Sequence, residues 1–215
     1  MKRLQSFVFV TTLAASSLVL ANTAEIRVTG EIKPGACLPT LSGGGTYDFG
    51  TISTRDLRYD LNTRFNSDYQ ALSIVCDAPT RFGLRAQDAR ASSALPGEIY
   101  SFGLGMSGGK PIGNYRLALR GPSIEVDGST SVNRLFSVDG GASWRLENGL
   151  AHTLLTNQMT NTLHSFVPAG QTQPVAIQRM SGDLRVSILI APLKDLDVGD
   201  GIQLDGASTL EVYYL

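Results

Sequence analysis

Two cysteines and two histidines are the natural starting points for chemistry in this chain of 215 residues. Cys37 and Cys76 form an even count, which in an oxidising compartment reads as one disulfide. Without a histidine close by, they make a poor zinc cage. His152 and His164 match neither the i, i+4 pair of a helical metal site nor a close-set cluster, so both read as surface or turn residues. The chain has no G-x-S-x-G elbow, no P-loop and no dinucleotide fingerprint. Gly43-Gly44-Gly45 runs into the strand-like Thr46-Tyr47-Asp48-Phe49 rather than a helix, so it reads as a turn and not as a phosphate cradle. Asp195, Asp197 and Asp200, with Gly199 and Gly201, hint at calcium. Their spacing misses an EF-hand loop and no bidentate Glu follows, which leaves a solvated turn. Trp144, the single tryptophan, could stack on a sugar, but beside a hairpin turn it more simply packs on its own sheet. No catalytic, cofactor-binding or metal-binding residue is expected, and the chain is not read as an enzyme.

The elements that carry these residues begin after an export signal. Lys2 and Arg3 form a positive n-region. Phe7 to Leu20 is apolar apart from Thr11, Thr12, Ser16 and Ser17, and Val19-Leu20-Ala21 offers a cleavage site, so residues 1–21 read as a secretory signal. The stretch is short and interrupted by hydroxyls, unlike a transmembrane anchor, and no later apolar run is long enough to span a membrane. Export places Cys37 and Cys76 where a disulfide persists, worth about 4 kcal/mol in the chain-entropy picture for a loop of this size. With 18 basic and 19 acidic residues the net charge is −1, which argues against a nucleic-acid partner. Lys33, Lys110 and Lys194 are too few and too scattered for a polybasic membrane patch.

Hydrophobic residues make up 42% and charged residues 17%, enough for a real core. Gly 23 and Pro 9, set between short apolar runs, favour strands and turns over a helical bundle. Ala24, Ile26, Val28, Gly30 and Ile32 alternate with polar residues, as in a half-buried strand. Leu72, Ile74 and Cys76 share a face, and Phe82, Leu84 and Ala86 follow after an Asp77-Ala78-Pro79 turn. Phe102, Leu104 and Met106 read as a strand closed by Ser107-Gly108-Gly109. Tyr115, Leu117 and Leu119 form the next. Phe136 to Trp144, centred on Asp139-Gly140-Gly141, reads as a hairpin. Leu184, Val186, Ile188 and Ile190 form the strongest strand, and Leu210, Val212 and Tyr214 the last. Loops are expected over 86–115. The pattern predicts an all-β sandwich in one domain, residues 34–215, preceded by an N-terminal extension over residues 22–33.

Four segments in order carry a family resemblance. Val28-Thr29-Gly30-Glu31-Ile32-Lys33-Pro34-Gly35-Ala36-Cys37 looks like the start of pilin subunits of the chaperone–usher pathway. Tyr47-Asp48-Phe49-Gly50-Thr51-Ile52 is similar to their D-F-G-x-[IV] segment, and Ile74-Val75-Cys76 sits at their second cysteine. Ser208 to Leu215 resembles their C-terminal signature, with its penultimate tyrosine. The beta-fimbria major-subunit group resembles the chain most, although the chain is longer than commoner pilins and its extension shorter. The resemblance implies an immunoglobulin-like β-sandwich lacking its last strand, with Cys37 and Cys76 bonded. It implies a structural fimbrial subunit, exported through the periplasm to the cell surface, that assembles by donor-strand complementation for adhesion. Ala24, Ile26 and Val28 would be the donor side chains. Leu210, Val212, Tyr214 and Leu215 would form the terminal strand beside the groove, gripped by a periplasmic chaperone. An outer-membrane usher and neighbouring subunits would complete the partners. The other reading is a monomeric secreted or periplasmic β-sandwich that binds carbohydrate or a surface ligand, with residues 22–33 folded into their own sheet. A secreted hydrolase is disfavoured by the missing nucleophile and base.

Overall fold

Alternation of apolar and polar residues, broken repeatedly by glycine and proline, dictates short strands that bury one face each. The computed structural model describes residues 25–30, 36–97, 100–147, 151–156 and 161–215. The signal segment 1–21, Ala24 and residues 31–35 lie outside that set. The chain divides into two units, Met1–Lys33 and Pro34–Leu215. In the first, residues 25–30 form no strand, and Ile26 and Val28 are 88% and 92% exposed. The half-buried strand expected over 24–32 is therefore not formed in its described part. An alternating segment without a ladder partner leaves its amides to water.

The second unit is all-β. Its strands are β1 (Cys37–Leu41), β2 (Thr63–Asn66), β3 (Gln70–Thr80), β4 (Phe82–Asp88), β5 (Phe102–Gly103), β6 (Met106–Ser107), β7 (Lys110–Pro111) and β8 (Gly113–Arg120). There follow β9 (Glu125–Val126), β10 (Val132–Ser137), β11 (Arg145–Leu146), β12 (His152–Leu155), β13 (Leu163–Pro168), β14 (Ile177–Ile190) and β15 (Ser208–Tyr214). One sheet runs β1-β3-β14-β8-β12, with β2 and β9 also on β14 and β5 on β8; the other runs β11-β10-β13-β4-β15. Every ladder is antiparallel. Leu72, Ile74, Leu119, Leu184 and Ile188 from the first sheet meet Phe82, Leu84 and Phe166 from the second in one buried cluster. The fold is a β-sandwich.

Cys37 and Cys76 are partners in the β1–β3 register and are joined by a disulfide. Such a bond persists in oxidising compartments and is rare in the cytosol. Among the described residues no helix is long and apolar enough to cross a membrane.

Three local expectations need correction. Asp77-Ala78-Pro79 is not a turn, because β3 continues to Thr80 and only Arg81 separates it from β4. The register of β14 shifts between Ile177 and Arg179 opposite this stretch. Such an irregularity accommodates a proline that has no ladder N–H to give. Phe102 to Met106 is not one strand: Gly105, at φ +99°, breaks it, and Met106 is 49% exposed while Phe102 and Leu104 are buried. His164 is no surface residue, being 5% exposed within β13. That strand is buried on both faces, because the turn carrying Gly141 and Trp144 packs on Leu163. The hairpin expected there forms, with Phe136 opposite Arg145.

Candidate functional site

The sandwich is open along one side. Among the described residues β1 is paired only with β3 and β15 only with β4, so each is the last strand of its sheet there. Between these two edges lies a groove of about 1040 Å³. Leu72, Leu117, Leu184, Val186, Ile188 and Ile190 form its apolar floor. These are inward-facing residues of β3, β8 and β14, the positions that period two sends to the core face.

Two irregular segments make the walls. On one side, Gly43, Gly44 and Gly45 sit at φ +72°, +67° and +77° and turn the chain out of β1. Three successive left-handed residues are tolerated because glycine has no Cβ to clash. The chain then returns over the sheet through Tyr47, Phe49 and Ile52, which pack partly buried against the core. The Tyr47 hydroxyl donates to the Leu184 carbonyl at 3.0 Å, and burial raises its pKa to about 12. The Asp48 carboxylate accepts from the Gly50 N–H at 2.8 Å, closing the turn at Gly50, φ +59°. On the other side, Ile202 and Gly206 lead into β15, whose Leu210 also lines the groove. A Cβ at Gly206 would come within 2.8 Å of the Tyr115 ring, so this wall can sit so close to the floor only as glycine.

Every second residue of each edge turns its backbone groups away from its own sheet. The Ala89 N–H donates to the Ala207 carbonyl and the Leu215 N–H to the Arg81 carbonyl. Antiparallel ladders alternate, so Ser208, Leu210, Val212 and Tyr214 turn their own N–H and C=O groups away from β4. The Asp77 N–H bonds the Ala36 carbonyl, which by the same alternation turns Cys37, Pro39 and Leu41 outward from β1. At one end the edges meet: the Cys37 N–H donates to the Tyr214 hydroxyl at 2.9 Å.

Of the terminal residues singled out in the sequence, Leu210 lines the groove and Val212 packs partly buried against the core. Tyr214 is half exposed and ties β15 to Cys37. Leu215 lies against Gly141. Ile26 and Val28 are described only as exposed residues of the first unit. Of the two walls, the resemblance implies the terminal strand with Leu210, while the wall over residues 43–52 is not legible in the sequence. Only the run of three glycines signalled a turn, and nothing in it indicated what the following residues would cover.

His164 was also missed. It shares a strand face with Phe166 of the core, and among the described residues neither ring nitrogen has a hydrogen-bond partner. Burial lowers its pKa to about 4. The unfolded chain then binds a proton below about pH 6.5 that the folded chain refuses until about pH 4. Stability should therefore fall as the pH drops through that window, by about 3 kcal/mol in all. Urea melts of wild type and His164→Leu at pH 7.5 and 4 check this. A drop in the variant as large as in wild type would assign the acid sensitivity elsewhere.

Comparison with known proteins gives a family model described as "Protein of unknown function (DUF1120)", which matches residues 26–102. That span holds Ile26 and Val28, both cysteines and the first groove wall. "Uncharacterized protein YhcF" of Escherichia coli (strain K12) is 26% identical over 228 residues, covering 94% of this chain and 94% of that protein. "Protein GltF" of the same strain is 24% identical over 223 residues, covering 89% of this chain and 88% of that protein. The chain is thus similar to both over nearly its whole length, and to the DUF1120 family over the part that carries the disulfide and the groove's first wall.

Proposed function

We propose that this chain is a fimbrial-type structural subunit, an incomplete β-sandwich completed in trans by a strand from another chain. The observation that carries the reading is the apolar groove between the free edges of β1 and β15. The floor residues are buried beneath the returning segment of Tyr47, Phe49 and Ile52, but the groove beside them is bounded by two strand edges, and such edges invite pairing. The ligand such a site fits is an extended segment with apolar residues at every second position, held by main-chain hydrogen bonds along the edge. Residues 22–33 have that pattern, and Ile26 and Val28 are exposed. Donation from one copy to the next is heterologous and does not close, so it yields a fibre.

In this reading a periplasmic chaperone fills the groove first, an outer-membrane usher hosts the exchange, and the product is a surface fimbrium. The disulfide supports export. The alternative, a self-contained monomeric binding protein, has residues 22–33 returning to their own sheet.

The test is a peptide spanning residues 22–33, added to a mature protein that lacks those residues. Binding to the folded state alone stabilises by about 2.7 kcal/mol at a hundredfold excess over Kd, a rise of several degrees in melting temperature. A peptide of the same composition with Ile26 and Val28 moved to odd register should give no rise. No rise with the native peptide either would remove the donor-strand reading.

A further inference from the structure

The outer face of the first sheet, turned away from core and groove, gathers cations. In register, Arg116 of β8 lies opposite Ser187 of β14, and Ser187 lies opposite Asn66 of β2. Arg120 lies opposite His152 of β12. Leu184, Val186 and Ile188 point into the core, so Arg185 and Ser187 point out, and the partners share their face. Arg64, Asn66, Arg116, His152, Arg185 and Ser187 line a depression of about 180 Å³.

The cluster is organised around Tyr69. Its ring lies parallel to that of His152 at 6.3 Å, and its hydroxyl is 2.8 Å from His152 Nε2. The guanidiniums of Arg185 and Arg120 lie 5.2 and 5.9 Å from the ring centroid. Arg64 donates to the Ser187 hydroxyl at 3.1 Å. Asp183 stands at one end, 3.7 Å from Arg120. Inside the cluster the Arg185 Nε is buried with no hydrogen-bond partner among the described residues, and a buried donor without an acceptor is costly. Burial, then the charges of Arg185, Arg120 and Arg134, lower the His152 pKa. Positive charges crowd here although the chain as a whole carries −1.

We propose that this depression binds the oxyanion of an acidic saccharide, a sulfate or carboxylate carried on a sugar. Guanidinium forks match the geometry of such anions and give charge-assisted hydrogen bonds. An incoming oxyanion relieves the mutual repulsion of the guanidiniums that line the depression. Asn66 and Ser187 add neutral donors and acceptors suited to adjoining hydroxyls. Two guanidiniums lie over the Tyr69 ring and His152 is hydrogen-bonded at its hydroxyl end, so the ring orients the cluster. The site is too small for an extended polyanion, which needs a stripe of charge. Because this face lies opposite the groove, the inference is independent of how the groove is filled.

The experiment titrates the mature protein with a heparin-derived tetrasaccharide, with glucuronate and with tetraglutamate by calorimetry, and follows the His152 ring by NMR. One or both saccharides should bind, weakened at least tenfold by Arg64→Gln and by Arg185→Gln. Arg145→Gln, on the other sheet, should leave binding unchanged. The His152 pKa should rise on binding, since a neighbouring anion favours imidazolium. Arg64 is exposed, so Arg64→Gln carries the test even if Arg185→Gln perturbs the packing around Tyr69. Binding of neither saccharide, or equal weakening by Arg145→Gln, overturns the proposal. Tetraglutamate binding as tight as either saccharide also overturns it, in favour of an acidic-peptide surface.

Discussion

A subunit carrying Ile26→Asp is expected to fold and to accept a strand, yet to fail as a donor, while Arg27→Asp donates almost normally. Period two points every second donor residue into the acceptor groove. In the proposed donor-strand reading, the floor that residue 26 would meet is made of Leu and Ile side chains with Val186. Seating an isoleucine there is worth about 1.5–3 kcal/mol, and a carboxylate without a partner costs several more. The difference of about 4 kcal/mol or above corresponds to roughly a thousandfold in exchange. Arg27 sits at the other parity, toward the rim. Mixing each variant with wild-type subunit, each kept apart beforehand by the periplasmic chaperone that the proposed function requires, and following polymer formation gives the answer. Equal polymer from both variants would show that residues 22–33 donate nothing. Unfolding of the isolated Ile26→Asp protein would place the segment in its own sheet and favour the monomeric reading.

Deleting Val212 to Leu215 should cost both stability and groove binding. These residues pair with Leu84, Gly83 and Phe82 of β4, the Leu215 N–H bonds the Arg81 carbonyl, and Tyr214 holds Cys37. Losing that ladder, and the cover that Val212 gives to the core, should remove about 3–5 kcal/mol, a large share of a typical domain's 5–15 kcal/mol. The deletion also takes away the outward backbone groups of Val212 and Tyr214, half of the β15 edge. The peptide of residues 22–33 should bind the truncated protein at least tenfold more weakly. Measurement at low temperature, where the truncated protein stays folded, separates the two effects. Unchanged peptide affinity would mean that β15 is not a groove wall.

Within the sandwich, three alternating runs have a structure readable from their spacing, whereas the alternating run over 24–32 forms no strand in its described part. Leu72, Ile74 and Cys76, then Tyr115, Leu117 and Leu119, then Leu184 to Ile190, all bury the face their spacing assigns. The burial pattern of a strand follows from backbone geometry and needs no knowledge of its neighbours. The disulfide was legible for a similar reason, since two cysteines in an exported chain have one way to pair. The ordered pilin-like segments pointed to the same sandwich.

Pairing was decided elsewhere. Nothing local states that β3 and β4, one residue apart, belong to opposite sheets, or that Asp77-Ala78-Pro79 runs on as strand beside an irregularity in β14. The groove exists because β1 and β15 end different sheets, and its walls come from loops whose positions depend on what they cover. His164 looked like a turn residue because its own strand, Leu163–Pro168, buries both faces and so shows no alternation. Arg64, Arg116 and Arg185 are distant in sequence, and each is an ordinary outward residue of its strand. Their charges meet only through the register of β2, β14 and β8. Sequence by itself determined the strictly alternating strands of the sandwich, their buried faces and the disulfide, which depend on backbone periodicity and cysteine count. The resemblance implies a groove, but tertiary structure alone decided its floor, its first wall and the cationic depression, because these are made between strands, by long-range pairing that no single segment encodes.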